Sequence, residues 1–148
     1  MNPEERAICV VMAALLRRGR LIHAFSLPVT LLALVAAPLV ALELGMRVGS
    51  AVLVATVIAG FCEAVLAARV AFDADLFERL GAGDLDLPTL DAALARLRLA
   101  PAAKLGRPLD ARLAGARRLL ALQLTALLLQ LILVVASLVL FRLSGGPI

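Results

Sequence analysis

The chain has no Trp and no Tyr, one His and two Cys in 148 residues, and only 3% of it is aromatic. Each scarcity removes a class of function. Cys9 and Cys62 belong to no CxxC pair and no Cys/His cluster, so no zinc or redox motif is present, and the sequence points to neither a metal nor a disulfide framework. With His23 alone, one chain cannot hold a haem between two histidines. No nucleophile motif, Walker loop or dinucleotide fingerprint occurs, so no catalytic residue is assigned and an enzyme is the least supported class. The expected cofactor set is empty. The lack of Trp and Tyr also removes the usual aromatic belt of a membrane protein. Arg must then anchor the helices by reaching back to the interface along its apolar stem.

What is present in excess is hydrocarbon. The chain is 63% hydrophobic and 18% charged, with a mean hydropathy of +1.02. A soluble domain is about 45–50% apolar. The excess sits in three runs. Residues 24–42 and 119–141 carry no charge, and residues 48–68 are interrupted only by Glu63. Each is as long as the roughly 18 residues a membrane helix needs. The predicted fold class is therefore all-α: an integral membrane protein forming a single membrane domain over 1–148, with spans at about 21–42, 48–68 and 119–141. A fourth run, 7–16, is too short to cross. Its flanks, "NPEER" before and "RRGR" after, are the reverse of a secretory signal. It predicts a short N-terminal helix that is interfacial or buried, with Gly19 as the joint to the first span.

Basic residues set the orientation. Thirteen Lys and Arg fall before the first span or between the second and third; only Arg47 and Arg142 fall on the other side. The positive-inside bias predicts a cytoplasmic N-terminus and a periplasmic or extracellular C-terminus. The Ala-, Leu- and Arg-rich composition hints at a bacterium, hence its inner membrane. The first external turn, "ELGMRVGS", reads as a tight hairpin with Glu43 set to pair with Arg47 and with Gly45 and Gly49 easing the turn. The basic residues are thereby explained by topology, and nucleic acid is not an expected partner.

Helical patterning continues past the second span to Gly81 and Gly83, which suit a helix end. It resumes at Pro108, with Leu109, Leu113, Ala116 and Leu120 on one stripe. Helices 2 and 3 are thus predicted to extend into a cytoplasmic helical stalk within 69–118. Opposite charges on the two extensions suggest Asp73 with Arg117 and Glu78 with Arg112, pairs that set register; Arg117 and Arg118 could equally meet lipid head groups. Between them, Leu87, Leu90, Leu94 and Leu97 mark an amphipathic helix over 87–99. It caps the stalk, lies on the membrane surface or docks a protein partner. "APAAKLGRP" is the linker-like stretch.

Polar residues within the spans fall in register. Measured from the nearest basic edge, Glu63 lies about 9 Å deep, His23 about 5 Å and Gln123 about 8 Å. Seven residues further along each helix come Thr56, Thr30 and Gln130, with Ser137 beyond. A seven-residue repeat turns one face of each helix to a shared interior. His23, Glu63, Gln123, Thr30, Thr56 and Gln130 therefore form the candidate intramembrane cluster, and Gly60 lets a neighbouring helix approach it. Its plainest role is packing; a proton or ion relay is the alternative. The functional expectation is a small inner-membrane accessory or interaction subunit, non-enzymatic, surrounded by the lipid bilayer. The rival is a homo-oligomeric transporter or channel subunit using Glu63.

Overall fold

The computed structural model describes residues 1–42, 47–99 and 106–144. Five helices account for nearly all of them: α1 (Pro3–Arg17), α2 (Gly19–Leu42), α3 (Arg47–Ala82), α4 (Leu87–Arg96) and α5 (Leu109–Leu143). No strand occurs among the described residues. Glu43 and Gly45 of the expected hairpin, linker residues 100–105 and the C-terminal 145–148 lie outside them. Among the described residues three helical stretches are long and apolar enough to cross a membrane: Pro3–Leu42, Arg47–Ala82 and Leu109–Leu143. Their most apolar windows have mean hydropathies of 2.3, 2.2 and 2.7, yet only 17%, 33% and 6% of those windows are buried within the protein. So much uncovered hydrocarbon is foreign to a water-soluble surface.

Local chemistry sets the helix ends. α1 opens with a capping box: Glu5 N–H donates to Asn2 Oδ1 at 2.7 Å, and Asn2 N–H to Glu5 Oε2 at 2.8 Å. α4 is capped by Asp86, whose Oδ1 accepts from Thr89 N–H at 2.9 Å. Thr89, through its side-chain hydroxyl first and its backbone N–H second, holds the Asp86 carboxyl below its ordinary range. α3 stops at Gly83, whose φ is +83°. Gly83 N–H donates to Leu80 O and Asp84 N–H to Arg79 O, the paired bonds of a Schellman stop. Gly81, also expected as a cap, is still helical and serves another purpose. A Cβ there would lie 2.6 Å from Val10 Cγ2 and 3.1 Å from the Val10 backbone nitrogen. Its bare backbone lets α1 come within touching distance of α3.

The chain groups into two compact units. One comprises Met1–Arg18 with Arg69–Leu120. Its core is that of a small helical bundle: Cys9, Met12, Ala13 and Leu16 from α1, Val70, Ala74, Phe77 and Leu80 from α3, Leu90 from α4, and Leu109, Leu113 and Ala116 from α5. The predicted stripes of α4 and α5 enter this core, with Leu87 and Leu94 packed at its edge. Leu97 does not; it is 67% exposed, past the end of α4.

The ion pairs of this unit differ from the predicted ones. Glu78 meets Arg17 of α1 at 2.7 Å, and Arg112 meets Asp91 of α4 at 2.6 Å. Among the described residues neither Asp73 nor Arg117 has an ion pair. The expectation treated the two long helices as facing only each other. α1, admitted by Gly81, supplies a nearer cation for Glu78, and α4 brings Asp91 to the first turn of α5. Asp91 is well enclosed, 16% exposed, and also accepts from Gly106 N–H at 2.9 Å. The Arg112 guanidinium and that amide hold its carboxyl below the ordinary range.

The second unit, Gly19–Ala68 with Ala121–Ile148, has a sparse apolar core of Ala33, Ala37, Leu53 and Val57, edged by Ala36 and Val40. Large side chains point away from it: Phe25, Leu32, Ile58 and Ile132 are all mostly exposed. Ala59 and Leu127 are also buried, and the remaining interior is polar.

Candidate functional site

Six polar residues are buried in the second unit: Ser26, Thr30, Thr56, Glu63, Gln123 and Gln130. They form two hydrogen-bonded layers. In the first, Glu63 is fully buried and both its oxygens are engaged. Oε2 lies 2.9 Å from His23 Nδ1, and Oε1 accepts from Gln123 Nε2 at 2.8 Å. A carboxylate only accepts, so the imidazole carries its proton on Nδ1 when Glu63 is ionised. Gln123 Nε2 spends its second hydrogen on Gly19 O, also at 2.8 Å. One amide thus ties α5 to both α2 and α3. Gln123 Oε1 is buried without a partner. His23 is the layer's access to the outside, with 37% of its side chain exposed.

The second layer centres on Gln130. Its Oε1 accepts from Ser26 Oγ at 2.7 Å, and its Nε2 donates to Thr30 Oγ1 at 2.7 Å and, more weakly, to Ser26 O at 3.3 Å. Thr30 Oγ1 in turn donates to Ser26 O at 2.9 Å. Gly60 of α3 closes against this group. A Cβ at residue 60 would come 2.8 Å from Gln130 Nε2 and 2.9 Å from Thr30 Cβ, and would overlap Thr30 Oγ1. The seven-residue step from His23 to Thr30 and from Gln123 to Gln130 is thus the distance from one layer to the next.

Of the six predicted cluster residues, five are joined by these bonds. Thr56 is fully buried but donates to Val52 O of its own helix at 3.0 Å. Ser137 is half-buried. Ser26 was not expected in the cluster. It stands three residues after His23 and four before Thr30, the spacing of one helix face, and a search at that spacing finds it where a search at intervals of seven does not.

The energetics favour keeping these groups together. An unpaired ionised carboxylate in hydrocarbon costs several kcal/mol, whereas each bond between membrane helices contributes on average only about 0.6 kcal/mol. The network therefore adds little net stability, but separating its members is expensive. Its contribution is specificity, since few helix rotations or registers pair both Gln amide NH2 groups and both Glu63 oxygens at once.

Elsewhere in this unit an apolar hollow of about 480 Å³ lies between α2 and α3, lined by Leu34, Ala37, Pro38, Val54, Val57 and Phe61. Ser50, the polar residue on its wall, is already bonded to Ala37 O at 2.9 Å. Among the described residues no group of three or more His, Cys, Asp or Glu could hold a metal ion. The chain matches no family model, and no curated protein or solved structure matches it either.

Proposed function

We propose that the chain is a small three-span subunit of a bacterial inner membrane that acts by association with other proteins and carries out no chemistry of its own. Its N-terminus lies in the cytoplasm, its C-terminus lies outside, and residues 69–118 form a helical region on the cytoplasmic side. The observation that carries the reading is that Glu63 is fully partnered within one protomer. Both Glu63 oxygens and both Gln123 amide hydrogens are used on neighbouring helices of the same chain. A carboxylate so engaged is a helix-matching device. A conducting site needs ligands that release and exchange. Leu97 and Leu99, both mostly exposed beyond α4, are the apolar residues that the 87–99 segment leaves for a protein partner.

One feature favours the rival transporter or channel reading: the partly exposed His23 leads directly to buried Glu63. Glu63→Gln and Glu63→Leu separate the two. As a packing device, Glu63→Gln keeps shape and hydrogen bonding, so assembly, thermal stability and cellular activity stay near wild type. Glu63→Leu strands Gln123 and lowers stability by about 1 kcal/mol. Loss of activity in Glu63→Gln with unchanged assembly and melting temperature would promote the transporter reading.

A further inference from the structure

His23 is the one histidine of the chain, and its two ring nitrogens stand in different surroundings. Nδ1 lies 2.9 Å from Oε2 of fully buried Glu63. Nε2 has no partner among the described residues and is not enclosed by them, and 37% of the side chain is exposed. The buried layer therefore reaches the surface of the second unit at an atom that can make one more hydrogen bond. Arg20 stands three residues earlier on α2, exposed and with no carboxylate within 4 Å among the described residues. Residues three apart are neighbours on a helix surface. A helical side chain also covers the turn on its N-terminal side, so the imidazole leans toward the turn that carries Arg20.

We infer that Arg20 and His23 Nε2 form a site for the phosphate oxygens of an anionic lipid headgroup. Under the three-span reading above, on which this rests, both residues stand at the cytoplasmic edge of the first span. Three residues of helix separate their levels by about 5 Å, and the Arg stem lets its guanidinium reach outward to the headgroups. Charge selects the ligand. Ionised Glu63 only accepts, so Nδ1 donates to it; when Nε2 donates as well, the ring is an imidazolium. Glu63, His23 and Arg20 then sum to one positive charge, which a phosphodiester with its single negative charge balances. Guanidinium binds phosphate with two parallel hydrogen bonds, and the cytoplasmic leaflet supplies anionic headgroups at this level. The imidazolium is held between two anions, the buried carboxylate inside and the phosphate outside. The headgroup thereby becomes the outermost member of the layer that runs from Gln123 through Glu63 to His23.

A single histidine makes the test specific, because every labelled ring nitrogen belongs to His23. Full-length protein with isotope-labelled histidine ring nitrogens and leucine methyls is reconstituted into vesicles of a phosphorus-free galactolipid, with phosphatidylglycerol as the minor lipid. Solid-state NMR measures the dephasing of each nitrogen by phosphorus. Nε2 is expected to resonate as a protonated nitrogen and to lose nearly as much signal as in vesicles of phosphatidylglycerol alone. Arg20→Gln should remove most of that loss, and full dephasing in this variant would overturn the site. Dephasing that only follows the phosphatidylglycerol content is general contact with the bilayer surface and overturns it too. So does equal dephasing by inorganic phosphate in vesicles without phosphatidylglycerol, which makes the ligand a free anion. Transfer from acyl-chain protons to the leucine methyls reports insertion in the same sample. That transfer without any nitrogen–phosphorus dephasing sinks the headgroup site and leaves the three-span reading standing; if neither signal appears, both fail.

Discussion

At the residue scale, the side chains that matter most are those whose chemistry is out of place. Glu63, Gln123 and Gln130 are fully buried, and each is tied to another helix. Gly60 matters for what it lacks. A methyl at residue 60 meets Thr30 and Gln130 at distances well inside van der Waals contact, so the helices or the hydrogen bonds must give way. Overpacking of this kind costs about 1–3 kcal/mol. Gly115 of α5 is its control, because nothing lies within 4 Å of a Cβ built there. Replacing a helical Gly by Ala in open space gains about 0.5–1 kcal/mol. Gly60→Ala should therefore melt below wild type in detergent and Gly115→Ala at or above it. Equal melting of Gly60→Ala and wild type would mean that the close approach at Gly60 is not a real constraint.

At the element scale, α3 and α4 end in the same way with different residues. Gly83 closes α3 at φ +83°; Arg98 closes α4 at φ +53°, with Arg98 N–H donating to Ala95 O and Leu99 N–H to Leu94 O. The left-handed conformation costs an L-residue roughly 1–2 kcal/mol, and Gly escapes that cost. Arg98→Gly is expected to stabilise the end of α4 by about 0.5–1 kcal/mol, after allowing for the freer unfolded glycine. Gly83→Ala should weaken the end of α3 by about 1–2 kcal/mol. Hydrogen exchange at the last turn of each helix reads both effects; unchanged or faster exchange in Arg98→Gly would show that the stop is not strained. Helix ends were legible where Gly, Pro and polar caps stand. The end of α4 was not, because no Gly marks it and its apolar spacing continues to Leu97.

At the scale of the whole molecule, thirteen basic residues on one predicted side and two on the other are the ground for the proposed orientation, which is open to direct measurement. Single cysteines introduced in 43–50 and in 143–148, with Cys9 and Cys62 replaced, should react with an impermeant maleimide on intact cells. Labelling of both sites only after permeabilisation would reverse the topology. The two compact units also divide the labour physically. Met1–Arg18 with Arg69–Leu120 has a dense apolar core and a surface that mixes charged and apolar residues, whereas Gly19–Ala68 with Ala121–Ile148 has polar residues inside and a surface dominated by hydrocarbon.

The sequence by itself determined where helices lie, which runs are apolar enough to leave water, and which polar residues share a depth. All three follow from one-dimensional properties: hydropathy, helical period and a rise of about 1.5 Å per residue. His23, Glu63 and Gln123 could be aligned from their distances to arginine landmarks, and hydrogen bonds join these three. Only the tertiary structure decided who pairs with whom. Glu78 takes Arg17 because Gly81 admits α1, Asp91 takes Arg112 because α4 lies over the start of α5, and Ser26 reaches Gln130 because two turns of α2 face one side chain of α5. A charge has no preferred partner along the chain. Its partner is whichever opposite charge packing brings nearest, and packing depends on small residues far away in the sequence.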